Sequence, residues 1–126
     1  MHENEVSKVI LDAAITVHNE LGRPGLLESY YELALAQELR MRELLVETQK
    51  PVPIRYKGVV LGEPYRLDML VEGKVIVECK AVEKRNPLFN AQLLTYLRLT
   101  GLKLGVLVNF GVSRIVDGFE RVVNGL

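Results

Sequence analysis

The sequence predicts an α/β fold in which a mixed β-sheet is flanked by helices. Apolar residues recur at helical spacing through residues 6–42, which indicates amphipathic helices. Residues 65–71 and 75–81 are strand-like and close enough in sequence to form a hairpin. An apolar helical segment, 87–100, then leads to a buried-type strand at 103–110. This strand–helix–strand connection predicts that the strands before and after the helix are parallel.

Two helices are predicted before the first strand. The inward positions of the first are Val6, Val9, Ile10, Ala13, Val17 and Leu21. Asn4 is its expected N-cap, and Gly22-Arg23-Pro24-Gly25 ends it. The second helix spans about residues 27–42. Its inward positions are Leu33, Leu35, Ala36 and Leu39. Glu28 lies in its first turn, where a carboxylate suits the helix dipole.

Two further segments predict strands at the edges of the sheet. Pro51 and Pro53 lie in extended sequence, which favours an edge strand. Residues 56–60 have the pattern of strand, turn and strand. The tail, 113–123, would add one more edge strand.

The segment 87–100 predicts a third helix with clear ends. Asn86 is expected to cap it, Pro87 suits its first position and Gly101 ends it. The helix is apolar nearly all round, so it is predicted to be largely buried.

Length and composition predict a single domain covering residues 1–126. The 16 basic and 16 acidic residues give no general footprint for nucleic acid, although local clusters decide such binding. One cysteine rules out an intrachain disulfide and fits a reducing compartment. The polar N-terminus is not a signal peptide, and no apolar run is long enough to cross a membrane. These features predict a cytoplasmic protein without a membrane partner.

The hairpin carries the charged residues that need explaining. If Glu72-Gly73-Lys74 forms its loop, Val71 pairs with Val75, and Asp68 then lies opposite Glu78 on the same face. The same register builds an all-apolar opposite face from Leu67, Met69, Val71, Val75, Val77 and Cys79. A shift by one residue would separate the two acids. The apolar pattern therefore favours the register that brings them together.

Two directly opposed carboxylates repel each other, so a cation between them is a natural candidate. Magnesium takes one or two carboxylates together with waters and substrate phosphate. Asp68 and Glu78 fit that need, with the Cys79 carbonyl as a third oxygen. Lys80, on the same face, could hold a phosphate, orient the attacking water or offset charge. The alternative is a solvated strand face in which Lys80 forms a salt bridge with Glu78 or Asp68.

These residues resemble the PD-(D/E)XK nuclease superfamily, whose restriction-endonuclease-like core has the order αβββαβ. The chain has this order from about residue 27 to 110, with an extra N-terminal helix. A narrower resemblance is to the GxxExxY family, whose signature stands here as Gly25, Glu28 and Tyr31. Two departures are Leu67 in place of the proline before Asp68, and Arg23 as an extra residue ahead of the signature.

The resemblance implies a set of site residues and a reaction. Glu28, Asp68 and Glu78 would bind Mg²⁺ or Mn²⁺, and Lys80 would be the motif lysine. Gln92 and Tyr96 match the Gln-x-x-x-Tyr feature of RecB-like nucleases, one helical turn apart. The implied function is metal-dependent hydrolysis of DNA. The alternative is a non-catalytic module that binds nucleic acid or protein, and the small size favours it. Small enzymes of this fold often dimerise, so a homodimer is also predicted.

Other polar residues have more ordinary interpretations. His18 is interpreted as a helix-surface or cap-region residue, and Cys79 as a small buried side chain. The tyrosines at positions 30, 31, 56 and 65 are interpreted as packing residues and not as stacking platforms for bases. The cationic residues that could form a basic rim for phosphate are Arg66, Lys84, Arg85 and Arg98.

Overall fold

The computed structural model describes residues 1–22 and 26–126. Its helices are α1 (Glu3–Leu21), α2 (Glu28–Met41) and α3 (Pro87–Thr100). Its strands are β1 (Val46–Val52), β2 (Arg55–Tyr56), β3 (Val59–Val60), β4 (Tyr65–Val71), β5 (Val75–Lys80), β6 (Leu104–Asn109) and β7 (Phe119–Val123). A short 3₁₀ helix, Ile115–Asp117, precedes β7. The predicted α/β fold, a mixed sheet flanked by helices, is confirmed.

Five strands form one sheet in the order β1-β4-β5-β6-β7, and β2 and β3 form a separate hairpin. The pairs β1–β4, β4–β5 and β6–β7 are antiparallel, whereas β5 and β6 are parallel and joined through α3. The predicted crossover and both predicted edge strands are therefore confirmed. Pro51 is tolerated in β1 because β1 is an edge strand, with no further strand hydrogen-bonded to its outer side among the described residues.

The two faces of the sheet are covered by different helices. On one face α1 and α2 pack against Met69, Val77 and other side chains of one large cluster. On the other face α3 places Leu93 and Leu97 against Ile76 and a smaller cluster. The central strand β5 is buried from Val75 to Cys79 because both faces are covered.

The helix ends differ from the sequence prediction at α1. The N-cap is His2 and not Asn4: the His2 Nδ1 accepts from the Asn4 N–H, and the Glu5 carboxylate accepts from the His2 N–H. This reciprocal capping box satisfies donors that a cap at Asn4 would leave unpaired. At α3 the predictions are confirmed, since the Asn86 side chain accepts from the Leu88 N–H and Gly101 is left-handed.

Two predicted inward positions and the predicted burial of α3 are wrong. Leu21 is exposed at the end of α1, and Leu33 is 63% exposed on the outer side of α2. The α3 helix is not buried nearly all round: Leu93 and Leu97 are buried, but Leu88 and Leu99 are exposed. Only α3 covers its face of the sheet, so its outer side has no helix to pack against within the described residues.

The β4 strand changes face at Asp68. The predicted register is confirmed for Val71–Val75, Leu70–Ile76 and Met69–Val77, and the paired ladder of β4 and β5 goes no further. The β1–β4 ladder skips the Gln49–Asp68 pair, and Gln49 has a left-handed φ of 52°. As a result Leu67 lies in the α3 cluster, although Met69 lies in the α1–α2 cluster. The prediction that Leu67 and Met69 share a face is therefore wrong.

Two features of the sequence resemblance, Arg23 and Gly25, lie outside the described residues. Among the described residues, no helix is both long enough and apolar enough to cross a membrane.

Candidate active site

Asp68 and Glu78 lie together where the β4–β5 ladder stops. The Asp68 Oδ2 accepts from the Cys79 N–H at 2.8 Å, so the carboxylate is turned toward β5. Glu78 is 3% exposed, and its Oε1 atom has no hydrogen-bond partner within the described residues. Burial and the nearby Asp68 charge raise the pKa of Glu78 to about 9. The hairpin thus holds a buried Glu78 beside a half-buried Asp68, and neither acid forms an ion pair within the described residues.

The α2 helix brings two more carboxylates to this pair. Glu28 is its first residue and is exposed, and partial desolvation together with the Asp68 charge raises the pKa of Glu28, against the opposing effect of Lys80. Glu32 lies one turn later, and its Oε1 accepts from the Gln49 Nε2 at 2.7 Å. Burial, followed by the Asp68 charge, raises the pKa of Glu32. Sequence reasoning missed Glu32, although its i+4 spacing from Glu28 was a usable signal.

Lys80 is held by an aromatic ring. Its Nζ atom lies 4.3 Å from the centre of the Phe89 ring, in the first turns of α3. Within the described residues Lys80 forms no ion pair with Asp68 or Glu78, so the salt-bridge alternative is not observed. A cation over a ring face keeps its charge available to a further anion.

Cys79 is fully buried, as interpreted from the sequence. Burial, followed by the surrounding carboxylates, raises the pKa of its thiol well above the usual value. The protonated thiol is a poor metal ligand, so only the main-chain carbonyl of Cys79 suits the predicted role.

Gln92 and Tyr96 lie in different surroundings. The Tyr96 ring stacks on Tyr65 with centroids 4.1 Å apart. Burial, the hydrogen bond with Tyr96 and the Glu78 charge raise the pKa of the Tyr65 hydroxyl well above its usual value. Tyr96 therefore borders the acid pair through Tyr65, whereas Gln92 is exposed to solvent.

Tyr31, the tyrosine of the signature, has a structural role. The Tyr31 hydroxyl donates to the Gly22 carbonyl at 2.9 Å, and its ring stacks on Phe110 at 4.7 Å. This fixes the first turn of α2, and with it Glu28, against the end of α1. His18 lies in the last turn of α1 and is buried, with Nε2 3.0 Å from the Val112 carbonyl oxygen. Of its two interpretations, the helix-surface one is wrong, whereas the cap-region one is confirmed, because the His18 carbonyl accepts from the Gly22 N–H at 2.8 Å.

The predicted basic rim is partly engaged in contacts within the chain. Arg85 forms an ion pair with Glu120 at 2.8 Å, and an Arg66 guanidinium nitrogen lies 3.5 Å from the Gln49 carbonyl oxygen. These contacts leave fewer cations for phosphate than the sequence suggested.

The donor set fits a hard divalent cation. Among the described residues, no three His, Cys, Asp or Glu side chains are arranged as a ready-made metal cluster. However, Mg²⁺ keeps several waters and needs only one or two carboxylates from the protein. The Asp68–Glu78 pair, with the unpartnered Glu78 Oε1, offers those oxygens.

Comparison with known families decides the assignment. Residues 4–122 match a family model described as the PD-(D/E)XK nuclease superfamily. This chain belongs to the PD-(D/E)XK nuclease superfamily. Membership indicates a nuclease function and a nucleic-acid substrate, and nucleases of this superfamily generally use divalent metals.

Other comparisons add little to this superfamily assignment. The crystal structure of SSO0001 is similar over 96% of this chain and 79% of that one, at 19% identity and a TM-score of 0.48. A likeness at that level carries no argument about function. No curated protein sequence gives a significant match.

Proposed function

We propose that this chain is a nuclease that hydrolyses DNA phosphodiester bonds with the aid of Mg²⁺ or Mn²⁺, and that it belongs with the GxxExxY proteins. The buried Asp68–Glu78 pair carries the proposal. Burying Glu78 beside Asp68 costs free energy, because Glu78 must either carry a charge next to a like charge or take up a proton, and stability alone gives no reason to keep this arrangement. A divalent cation accounts for both the pairing and the unpartnered Glu78 Oε1.

Each site residue has a role that its surroundings support. Asp68, Glu78 and Glu28 would hold the ion, with the Cys79 carbonyl as a further oxygen. The ion supplies Lewis acidity and lowers the pKa of a water molecule. Lys80, held by Phe89, would bind a phosphate oxygen through its ammonium group.

Tyr96 and Gln92 would act around this centre. The Tyr96 ring, stacked on Tyr65, would exclude water from the inner side of the site. Gln92, on the exposed side of α3, would contact the substrate.

The experiment that tests the proposal is a cleavage assay with defined substrates. Single-stranded, duplex and branched DNA, and RNA, are incubated with the purified protein and Mg²⁺, Mn²⁺ or EDTA. We expect metal-dependent cleavage of DNA that Asp68→Asn, Glu78→Gln and Lys80→Ala each reduce at least about 100-fold. Glu63→Gln, in an exposed loop, is the matched control. No cleavage by the wild type, or equal cleavage by every variant, would contradict the proposal.

The second candidate is a non-catalytic module that binds nucleic acid or protein. It is favoured by one observation: the raised pKa of Glu78 leaves this acid protonated, and so a weaker metal ligand, near neutral pH. Tight DNA binding without cleavage under any metal would support it. Light scattering on the same samples tests the predicted homodimer.

A further inference from the structure

An apolar groove lies on the sheet face that α3 covers. It has a volume of about 440 Å³ and runs between the end of β1 and the C-terminal part of α3. Its principal lining residues are Val52, Leu67, Leu70, Leu99, Leu102 and Arg55. This volume is in the usual range of small-molecule sites in proteins.

The groove opens on the sheet face that carries Glu78 and Lys80. Leu67, in its wall, directly precedes Asp68 and packs with Ile76 in the α3 cluster. Glu78 and Lys80 follow Ile76 at alternate positions of β5, so they share that face. The contact of Lys80 with α3 agrees with this placement. A nucleic-acid strand bound at Asp68 and Glu78 would therefore continue into the groove.

The β2–β3 hairpin borders the groove and carries the cations Arg55 and Lys57. Arg55 lines the groove, is exposed and forms no ion pair within residues 1–22 and 26–126. Lys57 lies 5.4 Å from the ring centre of Tyr56, which is 59% exposed. Tyr56 is thus not the packing residue that the sequence suggested. Positive charge and an exposed ring beside an apolar groove are complementary to a nucleotide.

We propose that the groove and the hairpin form a subsite for one unpaired nucleotide of the substrate. The base lies in the groove, and its phosphate contacts Arg55. This inference rests on the proposed nucleic-acid substrate, and it names the class: DNA that carries unpaired nucleotides next to the cleaved bond. Bases stacked inside a blunt duplex are not available to such a groove.

The groove does not read the identity of the base. Its wall is mainly aliphatic, and the Thr100 hydroxyl donates within α3, to the Tyr96 carbonyl oxygen at 2.9 Å. Apolar and stacking contacts tolerate every base, because each base has an apolar face. Binding through this subsite is therefore independent of sequence.

The test measures binding of labelled oligonucleotides by fluorescence anisotropy, in EDTA so that nothing is cut. The probes are a blunt 20-base-pair duplex and the same duplex with a five-nucleotide single-stranded extension. We expect Arg55→Glu and Leu99→Glu each to weaken binding of the extended duplex by about tenfold, and that of the blunt duplex by less than about threefold. Changing the sequence of the extension should leave its affinity unchanged.

Two controls match these variants in chemistry. Lys8→Glu reverses a charge on the exposed side of α1, and Leu88→Glu places a charge on α3 outside the groove. We expect both to bind the extended duplex like the wild type. Leu99 is 43% exposed, so Leu99→Glu should fold, and thermal melting verifies this.

Several results would overturn the subsite. Equal losses for both duplexes, equal losses in the control variants, or a Leu99→Glu variant that only dissociates a dimer would each do so. The cleavage assay separates this outcome from failure of the proposed function. If the wild type cuts DNA but the groove variants bind normally, the subsite is wrong and the nuclease stands. If it never cuts but the groove variants lose binding, the subsite stands without catalysis.

Discussion

The two ends of the β4–β5 hairpin differ in what they contribute. At the loop end Met69, Val71 and Val75 are fully buried and regularly paired. At the open end the ladder stops, and Asp68 and Glu78 bring carboxylates into the interior. The same two strands thus contain a stabilising region and a region whose charges oppose folding. Function, and not stability, is the reason to keep the second.

The largest expected effect is at the open end. Glu78→Gln keeps the shape of the side chain but removes its charge, so cleavage should fall by about 1000-fold or more. Single-turnover assays on labelled DNA measure this. The free energy of unfolding in EDTA should not decrease, because glutamine, unlike Glu78, needs no bound proton to stay uncharged in this buried position. A fully active Glu78→Gln protein would show that the open end is not needed for cleavage, so the two ends would not differ in function.

The loop end should show the opposite behaviour. Met69→Ala leaves a cavity in the core, so the free energy of unfolding should fall by about 3 kcal/mol, measured by urea denaturation. Cleavage per folded molecule should be unchanged. The control is Leu33→Ala on the exposed side of α2, which should cost less than about 0.5 kcal/mol. A large activity loss in folded Met69→Ala would show that the two ends are not separable.

The metal-free protein should lose stability as the pH rises. The pKa of Glu78 is about 9 in the folded chain and near 4.5 when unfolded, so between these values the folded state binds more protons. The free energy of unfolding must therefore decrease as the pH rises from about 5 to about 9. Thermal melting in EDTA measures this. Glu78→Gln should flatten the profile, and Mg²⁺ should restore stability at high pH. If the free energy of unfolding of the wild type rose with pH instead, Glu78 would not be a buried acid with a raised pKa.

The smallest expected effect concerns the positioning of Lys80. Phe89→Leu keeps apolar volume but removes the ring under the ammonium group, so kcat should fall about tenfold with KM unchanged. Phe89→Tyr should restore it. In a double-mutant cycle, Phe89→Leu should add nothing to Lys80→Ala, because Phe89 acts through Lys80. Additive losses would instead indicate a general packing role.

Much of the fold follows from local patterns. The register of the hairpin was predictable because alternating apolar residues on both strands allow only one pairing. The ends of α3 were predictable because Asn86, Pro87 and Gly101 each act on their own backbone. These signals are short-range, so the rest of the fold hardly affects them.

The sequence predicted which residues form the site, but not how they are arranged. Asp68 and Glu78 follow from register, but the change of face at Asp68 depends on the backbone of Gln49 in another strand. The Lys80–Phe89 contact depends on how α3 crosses the sheet. Likewise Leu33 is apolar in sequence, and only the packing of α2 shows that it faces solvent. Such features are set by tertiary geometry, which a single sequence does not display.

The change of face in β4 lets one strand belong to two layers. Residues before Asp68, such as Tyr65 and Leu67, take part in the α3 layer and its groove. Residues after it, such as Met69, take part in the opposite layer. A substitution in the first half therefore acts on the α3 layer, and one in the second half acts on the α1–α2 layer. A single seven-residue strand thus ties the two cores of the domain together, with Asp68 at the point where they meet.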